Sequence, residues 1–187
     1  MNWAGFVLVG GKSSRMGCNK ALLHIRNRTL AEQVAEQLRV VTNDVRLIGQ
    51  VDTYGSLGYP VVEDLLKGCG PLGGIHAALS ATHAQWNLVV ACDMPEVTAE
   101  FLQRLIARAE AGSADAVIPA GPDGHPEPLC AAYHGRSLTE ITNALEAGTF
   151  KVMSGLSRLK VDVWRVPDAR YFHNLNTRQD WLGYSNA

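Results

Sequence analysis

The feature that most constrains this chain is the alternation of short Val/Leu/Ile-rich runs with longer segments of helical period. "GFVLV" (Gly5 to Val9), "DVRLIG" (Asp44 to Gly49), "PVVE" (Pro60 to Glu63), "NLVVACD" (Asn87 to Asp93) and "DAVIPA" (Asp115 to Ala120) read as strands. Each ends near Gly, Pro or an acidic residue. Between them, "TLAEQVAEQLRVV" from Thr29, "PLGGIHAALSATHA" from Pro71 and "TAEFLQRLIARAEA" from Thr98 read as helices. Pro71 suits a first turn, where a missing N–H costs nothing, and Thr98 offers a capping hydroxyl ahead of Phe101, Leu102, Leu105 and Ile106. The pattern predicts an α/β fold with three layers, a mostly parallel Rossmann-like sheet covered by helices on both faces. At 187 residues one core suffices, and a single domain over residues 1–187 is expected.

After Ala120 the texture changes. "GPDGHPEP" is a Pro/Gly turn cluster, followed by the apolar run "LCAAYH", as in an excursion out of the sheet and back. Helices are expected near "SLTEITNALEAG" and "KVMSGLSRL", a strand at "KVDVWRV", and a closing helix after Asn176. No repeat or low-complexity segment is visible.

Lys plus Arg number 17 against 18 Asp plus Glu, which excludes the charge surplus expected for binding long nucleic acid or an anionic membrane. The apolar opening "MNWAGFVLVGG" is too short to span a bilayer and lacks a basic n-region or cleavage site, so a cytoplasmic location is expected. Cys18, Cys69, Cys92 and Cys130 lie far apart without a C-x-x-C pair and are expected to be free thiols. The histidines form no metal-ligand spacing, so His76 and His173 read as structural. Cys92 sits in an apolar strand, which favours an inert thiol over a nucleophile.

The segment "VGGKSSRMGCNK" contains the letters of a phosphate-binding P-loop. That loop requires a glycine five positions before Gly11, and Phe6 stands there instead, inside a strand. What remains is a strand, the adjacent glycines Gly10 and Gly11, small hydroxyl residues, Arg15, Gly17 and Lys20. Adjacent glycines let backbone approach a ligand, and Arg15 and Lys20 can cover polyphosphate oxygens from two sides. An ordinary strand-to-helix turn with solvated charges is the alternative.

"LVGGKSSRMGCNKALL" resembles the signature L-x-G-G-x-S-x-R-M-G-x-x-K-x-L-L of the MobA-like nucleotidyltransferases, in particular the molybdenum cofactor guanylyltransferases. "VVEDLLKGCGPLGGIHAAL", "VVACDMP", "HPEPLCAAYH" and "FHNLNTRQDW" resemble, in the family's order, its acidic residue with G-P-L-x-G, the C-D-x-P of its metal site, a segment near its acceptor pocket and its closing N-x-N-T. The resemblance implies a sheet of the nucleotide-diphospho-sugar transferase type. It also implies transfer of a nucleoside monophosphate to a phosphate-bearing acceptor, with pyrophosphate leaving. It places the nucleotide against Leu8, Val9, Gly10, Gly11, Lys20, Asp64 and Asp93, with Arg15, Lys20 and Asp93 catalytic, Asp93 the Mg²⁺ ligand, and Asn174 and Asn176 on the acceptor. Lys12 becomes a surface residue.

The residues suit those roles. A carboxylate at the end of an apolar strand lies where open α/β sheets gather ligands, and Mg²⁺ needs only one or two carboxylates beside phosphate and water. Glu63 competes with Asp64 as the functional acid. Asn176 competes with itself, as an acceptor ligand or as the cap of the last helix. Arg178 stands where the family usually has Pro. The family also often presents Asn after its second strand, where this chain has Gly49 and Gln50.

The pair Gly10-Gly11 is similar to the guanine-using relatives, whereas those using CTP carry Ala in this stretch. The expected reaction therefore joins GMP from GTP to molybdopterin carrying molybdenum. Transient contacts with proteins that deliver molybdopterin or mature molybdoenzymes are expected. CMP transfer, another phosphorylated acceptor, and a nucleotide-binding regulator without turnover are the alternatives.

Overall fold

The computed structural model describes residues 1–10, 19–64, 66 and 68–185. The strands are β1 (Trp3–Leu8), β2 (His24–Ile25), β3 (Arg28–Thr29), β4 (Asp44–Ile48), β5 (Val61–Val62), β6 (Trp86–Ala91), β7 (Ala116–Ala120), β8 (Cys130–His134) and β9 (Val161–Arg165). The helices are α1 (Leu30–Val41), α2 (Val51–Tyr54), α3 (Gly70–Ser80), α4 (Ala99–Ala111), α5 (Ser137–Glu146), α6 (Val152–Gly155) and α7 (Arg178–Ser185). One seven-stranded sheet runs β5-β4-β1-β6-β8-β7-β9, and β2 with β3 forms a separate two-stranded ribbon. Every pairing in the large sheet is parallel except those of β8, which lies antiparallel between β6 and β7.

Residues of successive parity in β1 and β6 feed opposite faces, as the pleat demands. Val7, Leu88 and Val90 pack with Val34 and Leu38 of α1 and Phe101 and Leu105 of α4. Phe6, Leu8 and Val89 pack with Leu72 and Ile75 of α3 and Ile141 and Leu145 of α5. These two apolar layers are the physical content of the three-layer expectation. A third, smaller cluster of Ile25, Leu30 and Leu175, with Trp181 and Tyr184 against it, fastens the ribbon to α7.

The helix starts are specified locally. Thr29 accepts from the Glu32 backbone N–H at 3.2 Å while its own N–H donates to the Glu32 carboxylate at 2.7 Å, a reciprocal cap on α1. Thr98 caps α4 through the Phe101 N–H at 3.3 Å. The "LCAAYH" run returns to the sheet as β8, antiparallel between β6 and β7. One expectation changes at the far end. The helix expected over "KVMSGLSRL" shrinks to α6, and a Cβ on Gly155 would lie 2.5 Å from Leu72 Cδ2, so the chain there runs hard against α3.

The parallel strands direct their carboxyl ends to one edge. Gly10 follows β1, Gly49 follows β4, Asp64 follows β5 and Asp93 follows β6 along that edge. At about 4.8 Å between neighbouring strands, the row from β5 to β6 is roughly 14 Å wide, enough for a nucleotide laid across it.

Candidate active site

The centre of that edge is held by Lys20. Asn19 caps a single tight helical turn over Lys20–Leu22, its side-chain oxygen accepting from the Ala21 N–H at 3.1 Å. Lys20 Nζ donates to Asn176 Oδ1 at 2.9 Å and stands 3.8 Å from Asp93 Oδ2. The ammonium thus joins a residue near the start of the chain to one near the end, across a gap of 156 positions. The backbone makes the same link, since the Leu175 N–H donates to the Asp93 carbonyl at 2.9 Å.

Asp93 is three-quarters shielded, with 23% of its side chain exposed. Burial pushes its carboxyl above the usual carboxylate range, and nearby Lys20 offsets only part of that. One cation is therefore too few for this carboxylate, which suits a group that takes a divalent ion. Among the described residues no cluster of three or more His, Cys, Asp or Glu side chains forms a metal cage. The donor set fits Mg²⁺ carried partly by phosphates and water better than a transition metal.

Asn176 also resolves its two competing roles. The cap of α7 is Thr177, whose hydroxyl accepts from the Asp180 N–H at 3.1 Å while Asp180 Oδ2 accepts from the N–H groups of Asn176 and Thr177 at 3.0 and 2.8 Å. The Asn176 amide is left for Lys20. Asn174 is different: its amide donates to the Phe172 carbonyl at 3.2 Å, which fixes its own loop, so the two asparagines do not act as a matched pair here.

At the exit of β1, Leu8 and Val9 are buried, and their carbonyls are engaged. Leu8 accepts from the Cys92 N–H at 3.2 Å and Val9 from the Tyr54 hydroxyl at 2.7 Å. Gly10 is exposed, and among the described residues a Cβ built on it would meet only the Ile48 carbonyl, at 3.7 Å, an ordinary contact. Gly11 and Arg15, with Lys12, lie outside the described residues.

Gly49 is the reverse case. A Cβ would come within 2.7 Å of both the Tyr54 ring and Val9, so the family's Asn has no room where Tyr54 packs. Tyr54 also accepts from the Asn19 amide at 2.9 Å, tying the exit of β1 to the turn that carries Lys20. Gln50 makes no cap for α2 with its side chain.

Asp64 is half-buried just after β5, where its carboxylate accepts from the Leu66 N–H at 2.9 Å and would lie 3.1 Å from a Cβ on Gly73 of α3. Glu63 points to solvent, with one long contact of 3.4 Å to the Val51 N–H. Of the two acids, Asp64 is the better placed at the sheet edge. Cys92 is buried, and burial pushes its thiol up to about 12, so it is no nucleophile. Cys69, Cys92 and Cys130 are free thiols; Cys18 lies outside the described residues.

Residue-by-residue reading of the sequence missed Tyr54 and Asn19, which act by holding the loop. Glu127 sits in the "HPEP" turn cluster and lines a cleft of about 310 Å³ with Gly121, Pro122, Asp123, Ala169 and Phe172. Burial raises its pKa, and the charges of Asp123 and Asp93 add to the rise. A groove of about 460 Å³ between α1 and the Leu57–Pro60 turn lies away from this edge and is lined by a network around Glu36, which accepts from the Tyr59 hydroxyl and pairs with Arg39.

Residues 5–161 match the family model described as the MobA-like NTP transferase domain. A protein of Flavobacterium johnsoniae named "Probable molybdenum cofactor guanylyltransferase" is 32% identical, the alignment covering 94% of this chain and 92% of that protein. A protein of Pelotomaculum thermopropionicum with the same name is 35% identical over 94% and 88% of the two chains. A crystal structure of molybdopterin-guanine dinucleotide biosynthesis protein A from Archaeoglobus fulgidus superposes with a TM-score of 0.84 at 30% identity, covering 98% of this chain and 97% of that one. With its fold, its sheet edge and its similarity all in agreement, the chain belongs to the MobA-like NTP transferase family and is a nucleotidyltransferase.

Proposed function

We propose that this enzyme transfers GMP from GTP to molybdopterin carrying molybdenum, forming the guanine dinucleotide form of the cofactor and releasing pyrophosphate. The observation that carries the reading is Lys20, poised between Asp93 on the nucleotide side and Asn176 on the acceptor side. The names of the relatives supply the substrates.

In the reaction a phosphate oxygen of the acceptor attacks the α-phosphorus of GTP, the bond from that phosphorus to the bridging oxygen breaks, and pyrophosphate leaves. Both partners are anionic, so positioning and cationic charge dominate the barrier. Lys20 has three N–H donors and can exchange its contacts with Asp93 and Asn176 for phosphate oxygens. Asp93 would hold Mg²⁺. The ion supplies charge neutralisation at the phosphates when bound. Asn176, released by Lys20, has both an acceptor and two donors to offer the incoming substrate. Gly10 and Gly11 would let the base approach the exit of β1 without a side chain between them.

The test is pyrophosphate release from each of the four nucleoside triphosphates with molybdopterin and Mg²⁺. Release with GTP alone is the expected result. Release with CTP in preference to GTP would replace the guanine assignment, and GTP binding without release would make the chain a regulator.

A further inference from the structure

Lys20 works between Asp93 and Asn176, and backbone contacts hold both of those residues. The Asp93 carbonyl accepts from the Leu175 N–H at 2.9 Å, and the Asn176 N–H donates to Asp180 Oδ2 at 3.0 Å. Lys20 is different. Its ammonium ends a flexible four-carbon stem, so where it stands depends on how firmly the turn beneath it is held. Downstream, that turn is secured by Ala21, buried in the apolar layer of α1 and α4, and by the Leu30 N–H, which donates to the Leu23 carbonyl at 2.9 Å.

Upstream, the turn is tied to the sheet through side chains. The Asn19 amide donates to the Tyr54 hydroxyl at 2.9 Å, and that hydroxyl donates to the Val9 carbonyl at 2.7 Å. Val9 is itself fixed, its N–H donating to the Ile48 carbonyl of β4 at 3.1 Å. The protons along this chain admit one arrangement. A carbonyl can only accept, so the single Tyr54 proton goes to Val9, and the hydroxyl oxygen is left to accept from Asn19. Asn19 must then turn its nitrogen to Tyr54 and its oxygen to the Ala21 N–H, 3.1 Å away. One amide thus both caps the Lys20 turn and moors it.

The mooring point is rigid. Tyr54 is buried, and its ring fills the space beside Val9 where a Cβ on Gly49 would come within 2.7 Å. Removing the hydroxyl leaves that packing in place and cuts the tie.

We infer that Tyr54 is a positioning residue for nucleotidyl transfer: through Asn19 its hydroxyl holds the Lys20 turn against the end of β1, which sets the ammonium where the triphosphate meets Asp93. The hydroxyl acts through Lys20 and not on a substrate. The inference rests on the proposed role of Lys20 and is independent of which nucleotide or acceptor is used. Misplacing a catalytic group by about 1 Å costs up to roughly 10²-fold, so loss of the tie is felt in turnover.

The test is a double-mutant cycle on pyrophosphate release per folded protein, run with molybdopterin, Mg²⁺ and whichever of the four nucleoside triphosphates the wild type uses fastest. Tyr54→Phe should lower kcat by about tenfold or more, with KM for the triphosphate changed by less than about threefold. In the Lys20→Ala background the same substitution should change kcat by less than about twofold, because no ammonium remains to be misplaced. A merely structural role would lower both backgrounds alike. Asn19→Ala cuts the chain at its other link and should repeat both results. A crystal structure of Tyr54→Phe without substrates should show Lys20 Nζ out of hydrogen-bond reach of Asn176, a readout that needs no acceptor. Equal losses in the two backgrounds, a loss confined to KM, a Tyr54→Phe kcat within about twofold of wild type, or an unmoved Lys20 Nζ would each overturn the assignment. Wild-type turnover in Lys20→Ala would overturn the role of Lys20 together with it.

Discussion

Replacing Gly10 by Ala separates what the fold needs from what the ligand needs. Gly10 does not have a positive φ, and among the described residues the added Cβ would touch only the Ile48 carbonyl at 3.7 Å, an ordinary contact. Restricting the unfolded chain should therefore stabilise the protein by about 0.4–1 kcal/mol, which for a chain this long is roughly 1–4 °C in Tm. The same methyl group stands at the open exit of β1, where the nucleotide is proposed to pass. Displacing the base costs about 1–3 kcal/mol, or roughly 5- to 150-fold in kcat/KM for GTP. Gly49→Ala supplies the contrast, because its Cβ would come within 2.7 Å of Tyr54 and Val9. That variant should lose about 1–3 kcal/mol of stability. Thermal melting and steady-state pyrophosphate release, run on both variants, give the comparison. A Gly10→Ala protein with unchanged kcat/KM for GTP would refute the placement of the nucleotide at this loop.

Lys20→Ala and Asp93→Ala should each lower turnover by roughly 10²-fold or more, read as pyrophosphate release at saturating GTP. Asp93→Asn should meanwhile raise Tm in metal-free buffer at neutral pH, since burial already disfavours the charge there. Tyr54→Phe leaves the Val9 carbonyl without its donor and Asn19 without its acceptor, and should cost about 1–3 kcal/mol in denaturant unfolding. For Asp115, burial acts upward, but hydrogen bonds from Arg136 and the Lys160 N–H outweigh it and leave the carboxyl below its ordinary value. Its contribution is thus present above the unfolded-state value of about 4 and is lost as the pH falls through the lower folded-state value. Acid unfolding of Asp115→Asn should show a flatter stability profile in that range.

The sheet and its helices were legible because their cause is local. The apolar runs were long enough to show which segments are buried, and Thr98 announced its helix through one hydroxyl. Asp93 was legible for the same reason, as an acid placed where a very apolar strand ends. The ribbon of β2 and β3 was not, because two-residue strands carry no measurable period; Ile25 and Leu30 gain meaning only when Leu175 arrives from the far end of the chain. Tyr54 and Gly49 are a packing pair, and neither residue alone signals that the other fills its space. Asn176 stayed ambiguous in sequence because Thr177 beside it can also cap, and only the Asp180 geometry decides between them.

The place of β8 orders the birth of the molecule. On the ribosome, the four strands from β5 through β6 can align as soon as residue 91 has emerged, but the flank of "WNLVVA" then has no neighbour until residues 130–134 follow. For the time it takes to synthesise some forty residues, at about 5–20 per second, a strand that is apolar but for Asn87 offers its free N–H and C=O groups to any passing chain. Conditions that slow translation between α4 and β8 should therefore favour aggregation of nascent protein without altering the finished fold.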